Sequence, residues 1–152
     1  MTLGRKREKS FRRALEAVSW LGLIAALVGC SEGREERHAN YNEAVQADVL
    51  RRGVLPQFVL DSASEILIAY DLDTSGVRVS FRFPPKEASL LASRLAASPE
   101  APPSPKTTRP GVPKWWRHDW RGFQFFEWKG AASWYVAVDA KSGVVYAWTS
   151  GA

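Results

Sequence analysis

Over residues 77–83 the chain alternates without a break, with Val77, Val79, Phe81 and Phe83 on one side and Arg78, Ser80 and Arg82 on the other. Successive side chains of a strand point to opposite faces, whereas a helix repeats about every 3.6 residues. The segment therefore reads as a half-buried β-strand. Ser64–Asp71, with Ile66, Ile68 and Tyr70, reads as its hairpin partner across a turn at 72–76. Three more strand-like segments follow at 122–128, 133–139 and 144–149. Gly130 marks one turn between them, and Asp139-Ala140-Lys141-Ser142-Gly143 marks the other. Two helices are expected as well. Asn40 is placed to cap the first, in which Tyr41, Val45 and Val49 recur at four-residue spacing and Gly53 supplies a left-handed stop. Pro84-Pro85 opens the second, with Ala88, Leu91, Ala92 and Leu95 at helical spacing. The stretch 98–113 holds six prolines and no apolar rhythm, so it reads as a long loop. The expected fold is α+β: a small antiparallel sheet of about five strands with two helices packed on one face, forming a single domain over residues 39–152.

The first 29 residues belong to something else. They carry six of the 21 basic residues and two of the 16 acidic ones, so the formal charge of +5 falls to about +1 in the remainder. Phosphate binding needs basic residues clustered on the folded surface, and a nucleic-acid partner is not expected. The basic start, the apolar run 17–28 and the small residue Gly29 have the three-part layout of a secretory signal. Twelve apolar positions fall short of the roughly 20 that span a bilayer. At their end, Leu27-Val28-Gly29-Cys30 resembles the lipobox of bacterial lipoproteins. That resemblance implies cleavage between Gly29 and Cys30, a diacylglycerol on the Cys30 sulfur and attachment to a membrane. Residues 1–29 would then be the signal peptide and 30–38 a polar, flexible tether. Arg12-Arg13 lacks the apolar continuation of a twin-arginine signal, which favours the general export route. Ser31 after the cysteine implies, by the lipoprotein sorting rule, the outer membrane facing the periplasm in a Gram-negative host.

Several runs in the mature part, Arg52-Gly53-Val54-Leu55-Pro56, Ser62-Ala63-Ser64-Glu65-Ile66, Asp71-Leu72-Asp73-Thr74 and the strand with Phe81 and Phe83, resemble short bacterial lipoproteins of the YbbD head domain type. The resemblance covers residues 41–95. It departs at Val54, where tryptophan is usual, and at Asp61, where a second proline is usual. Tyr146-Ala147-Trp148 is similar to the end of the final hairpin in these proteins. No activity and no site residue comes with the resemblance.

Catalytic and metal signatures are thin. Asp71-x-Asp73-x-Ser75-Gly76 matches the first half of a calcium loop, but the twelfth position, which needs a bidentate glutamate, is Arg82. Asp73-Thr74-Ser75-Gly76 lacks the glycine that an aspartic-protease turn carries directly after its threonine. His118 with Asp119 is the minimum for base catalysis, yet neighbours on an extended chain point apart. With two histidines and one cysteine, neither a metal site nor a cofactor is expected, and the chain is not expected to be an enzyme. The aromatic bias carries more content, since six of the seven tryptophans follow residue 114. Alternation assigns Trp134 and Trp148 to a core. Trp115, Trp116, Arg117, Trp120 and Arg121 form a polar-aromatic stretch of the kind found on contact surfaces. Three functions follow as expectations: an envelope module binding another envelope protein, a glycan or peptidoglycan binder using the same rings, and a hydrolase around His118 and Asp119.

Overall fold

The computed structural model describes residues 33–71, 75–98, 112–117 and 119–150. The elements run β1 (Gly33–Asn40), α1 (Tyr41–Gln46), β2 (Ser64–Asp71), β3 (Val77–Arg82), a 3-10 turn (Pro85–Glu87), α2 (Ala88–Ser93), β4 (Ala96–Ala97), β5 (Gln124–Lys129), β6 (Ser133–Asp139) and β7 (Val144–Thr149). All seven strands form one antiparallel sheet in the order β1-β2-β3-β7-β6-β5-β4. The sheet is thus two meanders, β1-β2-β3 and β5-β6-β7, joined where β3 pairs with β7.

This corrects the expected five-stranded α+β fold. The protein is mostly β, and each of its two α-helices is only six residues long. The first helix starts as expected, with the Asn40 side chain accepting the Glu43 N–H at 3.0 Å. It stops well before Gly53 because Asp48 adopts a left-handed φ of 63°, which no α-helix continues through. Val45 is consequently 44% exposed, while Val49 turns into the core. From there to Ala63 the chain is a series of turns that presses Leu55, Phe58, Val59 and Leu60 onto the sheet. Of the three residues at four-residue spacing, Val49 enters the core and Tyr41 packs against it, while Val45 does not.

Of the expected tether, residues 30–38, residues 30–32 lie outside the described residues, and the described part from Gly33 onward belongs to strand β1, paired with β2. Its sequence, GREERHAN, has no apolar rhythm because an edge strand draws its order from backbone pairing and can carry charge outward. In this strand only His38 is buried.

Cross-strand partners share a face, so the register sorts the side chains. One face carries Ile66, Ile68, Val79, Phe81, Val145, Val136 and Trp134, and the segment 41–63 with Leu91 of α2 packs on it. The other carries Arg78, Ser80, Tyr146, Trp148, Ala137, Tyr135 and Phe125. Residues 112–123 cover that second face with Val112, Trp115, Trp116, Trp120 and Phe123. The expectation that the charged side of residues 77–83 meets solvent therefore fails for Arg78 and Ser80, which are 8% and 7% exposed. Only Arg82, at the end of the strand, is open.

The β6–β7 turn locks the two meanders together. Asp139 Oδ1 accepts the backbone N–H groups of Lys141 and Ser142, each at 3.1 Å. The Ser142 hydroxyl, which also donates to this carboxylate, and then these backbone bonds hold the Asp139 carboxyl below the usual carboxylate range. Gly143 follows with φ of 66°, and its carbonyl accepts the Phe83 N–H at 2.9 Å. A Cβ at this position would lie 2.2 Å from the Phe83 carbonyl oxygen. Gly143→Ala combines a disfavoured φ with a backbone collision and should cost about 2–4 kcal/mol. Urea unfolding monitored by tryptophan fluorescence checks this, and a cost under ~0.5 kcal/mol would contradict the close approach.

Candidate binding face

The sequence stretch with the densest chemistry, residues 112–121, lies as a strap across the second sheet face. A turn closed by the Trp116 N–H on the Pro113 carbonyl, at 3.0 Å, directs the Trp116 ring inward. There it is 3% exposed and packs edge-on against Tyr146 and Trp148, with centroids 5.5 and 5.9 Å away. Trp120 stacks on Trp148 at 5.5 Å with an interplanar angle of 23°. The Arg78 guanidinium lies 5.9 Å from the Trp116 ring centroid, within range of a cation–π contact. The strap thus covers Arg78, near the start of β3, with the Trp116 ring placed beside its charge.

The five residues assigned to a contact surface are thus divided. Trp116 is core, Trp115 and Trp120 are half-buried, and only Arg117 and Arg121 are exposed. Arg117 Nε donates to the Asp119 carbonyl at 2.6 Å, and its guanidinium sits 5.2 Å from the Phe123 centroid. Asp119 accepts from the Arg121 side chain at 2.8–3.2 Å and from the Arg121 N–H at 3.1 Å. Those bonds hold its carboxyl below the usual range, so it is occupied by its neighbour. His118, like Gly29 and Cys30, lies outside the described residues.

At one end of the strap no described residue covers the sheet. A groove of about 380 Å³ is bounded by Leu67, Ser80, Arg82, Val144 and Tyr146 on its floor, with Trp115 and Arg117 as one wall and Glu65 and Ser142 at the rim. Arg82 Nε donates to Glu65 at 2.9 Å. Glu65 itself has φ of 48°, at the point where the β2–β3 register shifts by a bulge. Sequence reasoning missed this groove because its floor comes from β2, β3 and β7, and β3 and β7 lie some 60 residues apart. The alternation of 77–83 was the available signal, since it put Ser80 and Arg82 on one side.

A second polar cluster ties the edge strand down. Arg52 donates bidentately to Glu36, at 2.8 and 2.7 Å, and the Tyr70 hydroxyl donates to the same carboxylate at 2.9 Å. His38 Nε2 lies 3.5 Å from it. The Arg52 bonds dominate in holding the Glu36 carboxyl down at about 2. Among the described residues, no group of three or more histidine, cysteine or acidic side chains is placed to hold a metal ion. Residues 72–74 of the calcium-like run lie outside the described residues. Its described part is a hairpin turn with the Asp71 N–H on the Gly76 carbonyl at 3.0 Å, and its twelfth position, Arg82, pairs with Glu65. No described helix is long and apolar enough to cross a membrane.

Against known proteins, residues 32–82 match the YbbD head domain family, about a third of the chain. The match spans β1, α1, β2 and β3 and supports the resemblance read from the 52–56, 62–66 and 71–74 runs. It begins earlier than that resemblance, taking in β1, and stops before α2. No curated protein and no solved structure matches the chain. The groove therefore joins the matched segment, through Glu65, Leu67, Ser80 and Arg82, to residues beyond it, Trp115, Arg117, Ser142 and Tyr146.

Trp116→Ala should destabilise the domain by about 3–5 kcal/mol, whereas Arg117→Ala should stay within ~0.5 kcal/mol of wild type in the same denaturant titration. Equal, small effects would place Trp116 at the surface instead. Because the folded state lowers the Glu36 pKa from 4.5 to about 2, its contribution to stability is complete above pH 4.5 and fades as pH falls toward 2. Glu36→Gln should flatten that part of the stability profile. An acid limb unchanged by the substitution would remove Glu36 as its source.

Proposed function

We propose that the chain is a bacterial lipoprotein, held to the cell envelope through acylated Cys30, whose folded part is a non-catalytic module that binds another envelope protein in the groove beside Trp115. The observation that carries the binding reading is the groove itself: aromatic and aliphatic floor, two arginines, and a wall supplied by an aromatic strap anchored in the core. Rigid rings beside charged groups are the composition of protein contact sites. The strap exposes Lys114, Arg117 and Arg121, which favours a partner with an acidic patch.

The anchoring reading rests on the leader and the Leu27-Val28-Gly29-Cys30 motif. It fits the strand layout. With β1 starting at Gly33, at most about 11 Å of extended chain separates it from Cys30. Gly33 pairs with Asp71, at the opposite end of the strands from Arg82 and Val144. A non-catalytic role agrees with Asp119 being held by Arg121. A second reading, glycan or peptidoglycan binding, is favoured by one feature, the Trp115 and Tyr146 rings flanked by the Ser80 and Ser142 hydroxyls.

Crosslinking and pull-down of the tagged chain from native membranes tests both parts. One protein should be recovered in near-equal amount and lost with Arg117→Glu, while Cys30→Ser should move the chain out of the membrane fraction. Recovery of peptidoglycan fragments in place of a protein would select the glycan reading. Identical fractionation of the Cys30→Ser form, with no lipid on the wild type, would overturn the lipoprotein assignment.

A further inference from the structure

We infer that β1 is a docking edge for a second copy of this chain, the two β1 strands pairing antiparallel about Glu36 into one continuous sheet. Among the described residues β1 is the outer strand of the sheet, paired on one side only, to β2. The side that faces away from β2 is identified by Ala39. Its N–H donates to the Glu43 carboxylate, at 2.7 Å, and not to β2. Both peptide groups of a strand residue point to the same side, and the side alternates along the chain. The outward peptide groups are therefore those of Gly33, Glu35 and Arg37.

An edge strand carrying charge of one sign repels a second copy, which is how many proteins keep such edges apart. This strand differs because its charges alternate in sign along the outward positions. Pairing Glu36 with Glu36 of the second copy sets Glu35 opposite Arg37, and Arg37 opposite Glu35. These are the outward positions, so each pair exchanges backbone hydrogen bonds and an opposite-charge contact on the same sheet face. Both side chains are exposed, and Arg37 makes no ion pair within the described residues. Glu35 has only a 3.3 Å bond from the Trp115 indole. The two Glu36 carboxylates that meet at the centre are each already neutralised by the bidentate Arg52 and the Tyr70 hydroxyl. Moving the register by two residues either way places Glu35 opposite Glu35 or Arg37 opposite Arg37, so the charges select one register.

The test is charge exchange in the full chain, read as the dissociation constant by analytical ultracentrifugation in detergent. Wild type should dimerise. Glu35→Arg alone sets arginine against arginine twice, and Arg37→Glu alone sets glutamate against glutamate twice. Each should weaken the dimer roughly tenfold or more. An equimolar mixture of the two single variants restores both opposite-charge pairs and should dimerise like wild type, as should the doubly substituted Glu35→Arg/Arg37→Glu chain. Restoration also excludes misfolding as the cause of the loss in the single variants. A monomeric wild type, single variants that dimerise unchanged, or a mixture that stays monomeric would each overturn the inference. Arg37 does not line the groove, so the Arg37→Glu arm reads the dimer independently of the proposed function, whereas Glu35→Arg also removes the bond to the Trp115 indole.

Discussion

The pairing of β3 with β7 is the contact on which the rest of the molecule depends. Each meander alone is a narrow three-stranded sheet, and the first has a charged edge strand, β1. Five register pairs from Arg78–Trp148 to Arg82–Val144 fuse them into a single surface wide enough to bury side chains on both sides. Fusion requires the chain to leave β3, cross to the far edge at β4 and return strand by strand. The 3-10 turn and α2 lie on that crossing, and the Gly143 carbonyl at the Phe83 N–H fixes where it begins.

Once the sheet is joined, its two faces are covered by different means. The first face is packed by the turns of residues 41–63, whose apolar side chains act without regular structure. The second is packed by a strap of aromatic residues that stack on Tyr146 and Trp148. Among the described residues the strap stops short of the end where β3 finishes at Arg82 and β7 begins at Val144, and the groove is the part of the sheet it leaves open. The groove thus lies next to an aromatic cluster, and its wall residue Trp115 is held edge-on against the buried Trp116.

Electrostatics does its structural work at the edge. β1 has almost no apolar surface to contribute, and the Glu36 carboxylate, gripped by Arg52 from the turn after α1, gives it a side-chain tie to the domain in addition to its backbone ladder. The exposed pairs Arg51–Asp48 and Arg121–Asp119 are of a different kind, since neighbouring residues in water gain little from each other. They shape local turns. The Glu36 site instead joins segments 16 and 34 residues apart.

Four of the strands, β2, β3, β6 and β7, were legible in the sequence nearly to the residue, and β5 within two residues, because alternation and turn chemistry are local and each strand buries at least one face. The Asn40 cap and the Asp139–Gly143 turn were legible for the same reason. β1 was not, since a charged edge strand has no periodic burial to display, nor was the early end of α1, which depends on a left-handed Asp48 that only packing of Val49 into the core rewards. The contact stretch was legible as a stretch but not as a surface: sequence alone gives Trp116 and Arg117 the same standing, and only the turn at Pro113 decides that one ring goes in and the guanidinium stays out. The groove belongs wholly to the tertiary structure, because its floor exists only after β3 meets β7. Local periodicity thus determined which segments became strands, while the long-range register decided which of their side chains share a face, and no local signal carries that information.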